Sequence, residues 1–158
     1  MLNQKGNFMP APERGRPIEI LLVEDSPTDA MLTQEAFDNS KPHNRMHIVD
    51  NGEAALAFLR KKGPYAERPR PDLILLDLNL PKKNGRELLQ EIKSDHDLRS
   101  IPVVILTSSG AEEDIVGAYD NHANCYITKP VGFHGLAQCV QSISDFWFSV
   151  VTMPPRKP

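Results

Sequence analysis

Apolar residues along this chain fall into two alternating patterns. Short unbroken runs recur as IEILLV from Ile18, MHIV from Met46, DLILL from Asp72, PVVIL from Pro102 and CYIT from Cys125, and these predict five strands. Between them apolar positions return every three or four residues, the period of a helix with one buried stripe. Leu32, Ala36 and Phe37 mark the first such segment, Pro27 to Asn39, and Ala55, Leu56 and Leu59 mark the second, Gly52 to Lys61. Leu88, Leu89 and Ile92 lie in Arg86 to Ser94, and Ile115, Ala118 and Tyr119 in Glu112 to Asn121. The last segment runs from Phe133 to about Val150, with Leu136, Val140, Ile143 and Trp147 on its stripe.

Runs such as ILLV and LILL are apolar on both faces, as in strands covered by helices on each side. Right-handed crossovers then predict a doubly wound α/β domain, a five-stranded parallel sheet flanked by five helices. A length of 158 residues with 40% apolar side chains suits one domain with a sizeable core. Pro10, Pro12 and Pro17, with Gly6, Gly15 and scattered charge, make residues 1–17 a predicted flexible leader; residues 18–151 are the expected domain and 152–158 a tail. The prolines and charges of KKGPYAERPRP, before the third strand, predict an exposed loop.

Charge and composition narrow the function. A formal net charge of -3 gives no general attraction to nucleic acid or an anionic membrane. The opening MLNQKGNFMP lacks a signal-peptide apolar core, and no apolar run nears the roughly 20 residues of a membrane span, so a cytoplasmic location is expected. Cys125 and Cys139 have neither CxxC nor zinc-ligand spacing and are read as reduced thiols without chemistry. His43, His47, His96, His122 and His134 show no metal-ligand spacing and are read as surface or loop residues; Lys82, Lys83 and Arg99 are read as a solvated face.

The chemistry is expected at the carboxyl ends of the strands, outside which ligands bind in such sheets. LILLDLNLPKKNG sets Asp77 at the end of a wholly apolar run, where a buried strand should exclude it. Glu24 and Asp25 follow the first strand, and Ser26 and Pro27 then open a helix as N-cap and N1, with Asp29 in its first turn. Thr107 ends the fourth strand and Lys129 the fifth. Carboxylates about 4 Å apart repel by roughly 4 kcal/mol at an effective dielectric near 20, so such a cluster either shifts its pKa values or recruits a cation. Glu24 or Asp25, Asp77, a backbone carbonyl from the turn after Asp77 and water are all oxygen ligands and suit Mg²⁺. A cation, a lysine and a threonine hydroxyl around one exposed carboxylate are arranged to receive an anion, and Asp77 is then the nucleophile toward a phosphoryl group.

These residues resemble the receiver domain of two-component response regulators across about residues 18–150. The likeness rests on the pair Glu24 and Asp25, on Asp77 in LLDLNLP with Gly85 eight residues later, on Thr107 before Ser108, and on Lys129 beside Pro130; Thr107 follows Asp77 by 30 residues and Lys129 follows Thr107 by 22. The resemblance implies a flavodoxin-like fold with strand order 2-1-3-4-5. It implies Asp77 as phosphoacceptor, Mg²⁺ held by Glu24, Asp25, Asp77 and the Asn79 carbonyl, phosphoryl oxygens bound by Thr107 and Lys129, and Tyr126 as an aromatic switch. It also implies a signalling protein that catalyses its own phosphorylation and dephosphorylation. LILLDLNLPKKNGRE, NCYITKP and the ending FWFSVVTMPPRKP are similar to the small response regulators of cyanobacterial-type phytochromes. That narrower likeness implies a phytochrome histidine kinase as donor and a homodimer. Apart from any family, Phe146, Phe148, Val150 and Val151 remain once the last helix has filled its inward stripe, and large uncovered apolar patches favour a dimer surface over folding back on the domain. With no output domain expected in the chain, the signal is expected to leave through a protein-binding surface.

Rival classes fare less well. A haloacid-dehalogenase-type phosphatase also uses a strand-end Asp but needs a second Asp two residues on, where Asn79 stands. No GxGxxG or GxxxxGK[ST] follows the first strand. A receiver-like interaction module that ignores phosphate stays as the alternative.

Overall fold

The computed structural model describes residues 16–40 and 43–155. The expected leader therefore lies outside the described residues except for Arg16 and Pro17, as do the last three residues of the expected tail. The described elements are β1 (Ile18–Val23), α1 (Pro27–Asp38), β2 (Asn44–Val49), α2 (Gly52–Leu59), β3 (Leu73–Leu76), α3 (Gly85–Ser94), β4 (Val103–Thr107), α4 (Glu112–Asp120), β5 (Cys125–Thr128) and α5 (Phe133–Asp145). All strand pairs are parallel and their order is β2-β1-β3-β4-β5, so the chain turns one way after β1 and the other way from β3 onward. That reversal is the switch point of a doubly wound sheet, and it opens a crevice at the ends of β1 and β3.

Strand alternation distributes the core. Leu21, Val23, Ile74, Leu76, Val103 and Ile105 face α2 and α3, packing with Leu56, Phe58, Leu88, Leu89 and Ile92. Ile20, Leu22, Leu73, Leu75 and Val104 face the other way, toward Ala30 and Phe37 of α1 and Leu136, Val140 and Ile143 of α5. Each fully buried Leu or Ile contributes about 1.5–3 kcal/mol, which makes β3 a fixed rail for the residue that follows it. Ser26 caps α1 by accepting the Asp29 N–H at 3.2 Å, and Asn84 caps α3 by accepting the Glu87 N–H at 3.0 Å.

Four sequence expectations change. β2 starts at Asn44, two residues before MHIV, because β1 pairs along its whole length from Ile18↔Asn44; polar residues at a sheet edge hide such a start. His47, in the expected strand, is not a surface residue but half-buried in β2, with Nε2 2.7 Å from the buried Glu19 carboxylate. On α4 only Ala118 of the expected stripe is fully buried, and Tyr119 is exposed with its hydroxyl accepting the Tyr126 N–H. Tyr65, in the loop expected to be exposed, is half-buried with its ring centroid 5.5 Å from that of Phe58.

The last expected helix ends at Asp145 and continues as one π-helical turn, Phe146–Val150, closed by the Val151 N–H on the Phe146 carbonyl at 2.8 Å. The wider turn changes which side chains point inward. Trp147 is buried as expected, but Phe148 and Val151 turn back against the α1/α5 core, joined by Met153. Phe148 thus leaves the exposed surface, whereas Phe146 and Val150 stay 53% and 73% exposed. Cys125 and Cys139 are free, and burial pushes both thiols above their ordinary pKa. No helix among the described residues is long and apolar enough to cross a membrane.

Candidate functional site

Strand register builds the site. Leu76 pairs with Val23 on one side and Ile105 on the other, so the residues following β1 and β3 emerge side by side. The Asp77 N–H donates to the Val23 carbonyl at 3.0 Å, and the Lys129 N–H donates to the Thr107 carbonyl at 2.7 Å. Thr107 is thus the last residue of β4, and Glu24, Asp77 and Lys129 each extend sheet backbone by one residue. Gly85 keeps it in place from the far side, because a Cβ there would lie 2.4 Å from the Asp77 carbonyl oxygen.

Glu24 and Asp77 are 3% and 6% exposed, while Asp25 beside them is open to solvent. One carboxylate oxygen of Asp77, Oδ1, accepts the Thr107 hydroxyl at 2.8 Å and the Asn79 N–H at 3.0 Å. The other, Oδ2, lies 3.1 Å from the Lys129 ammonium. Lys129 Nζ also reaches Glu24 Oε2 and Asp29 Oδ2, each at 3.0 Å, and so uses all three of its donors on carboxylates. Asn79 lines a depression with Asp25, Leu80, Asn84 and Arg86.

The charges settle accordingly. Burial, and then the neighbouring Asp77 carboxylate, push Glu24 up to about 8. Burial pulls Asp77 the same way, but Glu24, the Asn79 N–H, Lys129 and Thr107 outweigh it and hold Asp77 below the ordinary carboxylate range. Lys129 is raised despite its burial, because Glu24, Asp77 and Asp29 surround it. Ligand oxygens of Glu24, Asp25 and Asp77 lie within 4.8 Å of one another, an all-oxygen donor set that fits a hard divalent cation. Such a cation relieves the same excess of negative charge that otherwise draws a proton to Glu24.

Every strand-end residue singled out in the sequence meets here, while Tyr126, the expected aromatic switch, stands apart within β5. Its half-buried side chain sits on β5, with its hydroxyl donating to the Ser109 carbonyl at 2.8 Å. Asp29 was read only as a first-turn helix charge; its pairing with a lysine 100 residues away carries no local signal. Arg86 and Asp114, an ion pair between α3 and α4, were likewise missed, and Asp114 also accepts the Ser109 hydroxyl.

Fold and pocket together define a doubly wound α/β protein with an acidic crevice at the switch point. The response regulator receiver domain family matches residues 20–141, and the chain belongs to that family. Among curated proteins it is 50% identical to response regulator Rcp1 of Synechocystis sp. over 142 residues, 90% of this chain and 97% of that one. Among solved structures it is similar to the phosphorylated cyanobacterial phytochrome response regulator RcpA, with TM-score 0.84 and 52% identity over 88% of this chain and 99% of that one. It is also similar to the Mn²⁺-bound form of Rcp1, with TM-score 0.83 and 50% identity over 88% of this chain and all of that one.

Proposed function

We propose that this response regulator accepts a phosphoryl group on Asp77 from a phytochrome-type histidine kinase, with Mg²⁺ as cofactor, and catalyses both its own phosphorylation and the later hydrolysis. The observation that carries the reading is the environment of Asp77. A buried carboxylate is held ionised by a hydroxyl, a backbone N–H and an ammonium, three donors that can pass to the oxygens of an incoming phosphoryl group. Glu24, Asp25 and Asp77, with the Asn79 carbonyl, are the groups to hold Mg²⁺, which supplies neutralisation of charge on the phosphoryl oxygens. An Asp77 oxygen attacks phosphorus, the bond to the donor nitrogen or acyl oxygen breaks, and the donor leaves with that bond's electron pair.

Thr107 and Lys129 then turn from the carboxylate to the phosphoryl group. In this reading the inward shift of Thr107 makes room for Tyr126, which leaves the Ser109 carbonyl and repacks the surface of α4, β5 and α5. Phe146 and Val150 form part of a homodimer surface whose strength depends on that repacking, and a downstream protein reads the outcome. The receiver unit is residues 18–151, working in the cytoplasm without nucleic acid or membrane partners.

Intact-mass measurement after incubation with acetyl phosphate tests the chemistry. A single phosphoryl adduct is expected with Mg²⁺, and none without Mg²⁺ or in Asp77→Asn. Absence of the adduct in the wild type overturns the reading in favour of an interaction module that ignores phosphate.

A further inference from the structure

The polar pocket contains two overlapping sets of groups. Glu24, Asp25 and Asp77 are the residues whose oxygens converge closely enough for one cation, whereas Lys129 holds Glu24, Asp77 and Asp29. Glu24 and Asp77 belong to both sets. Asp25 belongs only to the cation's and Asp29 only to the lysine's.

We propose that Asp29 is a positioning residue for Lys129, the carboxylate that keeps the ammonium in place when a cation claims Glu24 and Asp77; this rests on the receiver reading above. Without Asp29 the ammonium has only the metal-binding carboxylates to pair with and competes with the cation for them. With Asp29 it has a partner that no cation at the pocket takes, so it stays beside Asp77 ready for a phosphoryl oxygen.

Local structure suits Asp29 to this task. It stands in the first turn of α1, after Pro27 at N1. Its N–H donates to the Ser26 hydroxyl at 3.2 Å and its carbonyl accepts the buried Thr33 hydroxyl at 2.7 Å, which fixes its backbone on both sides. The Lys129 side chain it contacts is only 12% exposed, while that of Asp29 is 45% exposed. The pair is therefore screened from the Asp29 side, and its effect is modest.

The experiment is a double-mutant cycle of Asp29→Ala and Lys129→Ala, read by calorimetric Mg²⁺ titration, by acetyl phosphate labelling at saturating Mg²⁺, and by Tm. Asp29→Ala is expected to weaken Mg²⁺ binding and slow labelling by about two- to fivefold each, the reach of a partly exposed ion pair, and to do neither in the Lys129→Ala background. Asp29→Asn, which keeps an acceptor oxygen, should recover part of both losses. Equal losses with and without Lys129 assign the effect to simple loss of negative charge and overturn the proposal. A lower Tm with unchanged Mg²⁺ affinity and labelling assigns Asp29 to helix α1 alone and also overturns it. If the wild type itself takes up no phosphoryl group, the receiver reading fails, while the Mg²⁺ titrations still decide whether Asp29 acts through Lys129.

Discussion

The crevice at the strand ends and the π-helical turn at Phe146–Val150 hold groups that an isolated folded domain disfavours, but of opposite kinds. In the crevice, ionisable groups are buried: Glu24 and Asp77 lie beneath the surface around the Lys129 ammonium, which also reaches Asp29. At the turn, apolar groups are exposed: Phe146 and Val150 face outward while Trp147 between them is buried. Burying a charge costs far more than exposing a hydrophobe. The crevice is accordingly fixed by sheet register and by hydrogen bonds from β3, β4, β5 and the turn after β3, and the turn by a widened helical ring and the packing of Trp147, Phe148 and Val151 on the core. Each region calls for a different chemistry, charge neutralisation in one case and apolar cover in the other.

The largest effect expected from separating the two regions lies under the turn. Trp147 packs with Leu136, Val140 and Ile143 against the α1 side of the sheet. Trp147→Ala should cost about 3–5 kcal/mol, the usual range for emptying a large aromatic site in a core, measured by urea unfolding with an unchanged slope. A cost below 1 kcal/mol would mean that the turn is a loose appendage, and the comparison would then lose its structural half.

A smaller effect belongs to the crevice and has a definite sign. Burial and the Asp77 carboxylate push Glu24 up to about 8 from an ordinary 4.5, so the folded state holds its proton more tightly than the unfolded chain. The stability this gives is complete below pH 4.5 and is lost as pH rises through 8. The opposite shift of Asp77 acts only at more acid pH, below the ordinary carboxylate range. Metal-free protein should therefore lose Tm steadily between about pH 5.5 and 8.5. Saturating Mg²⁺ should reverse that slope, because a cation that displaces the Glu24 proton binds better as pH rises. A Tm that falls equally with and without Mg²⁺ would detach Glu24 from the cation site.

The two regions also differ in how far the sequence disclosed them. Glu24, Asp25, Asp77, Thr107 and Lys129 were legible because each follows or ends an apolar run, and parallel strands bring such ends together without knowledge of any side-chain contact. The same reasoning could not see Asp29 reach Lys129 or Glu19 reach His47, since polar pairs distant in sequence leave no period. The start of β2 was missed because edge strands need not be apolar. The turn failed for another reason: extrapolating a 3.6-residue period past Asp145 puts Phe148 outside, and one π-helical ring shifts the phase enough to bring it in. Periodicity locates elements well and breaks down wherever backbone geometry changes within one.

The smallest effect on stability carries the most information about the surface. Phe146 is exposed and stands edge-on to Trp147, with ring centroids 5.6 Å apart, and Val150 lies on the same turn. Replacing both by serine removes apolar surface that the folded monomer does not bury, so unfolding free energy should move by no more than about 0.5 kcal/mol. If a second copy covers this surface, sedimentation equilibrium should show weaker dimerisation in Phe146→Ser/Val150→Ser, with the difference from wild type changing on phosphorylation of Asp77. Unchanged dimerisation in both states would remove these two residues from the interface, leaving the exposed Val116 and Tyr119 of α4 as the next apolar surface to test. A large loss of stability would instead show that Phe146 supports Trp147 from outside, and the line drawn between buried and exposed residues of the turn would have to move by one position.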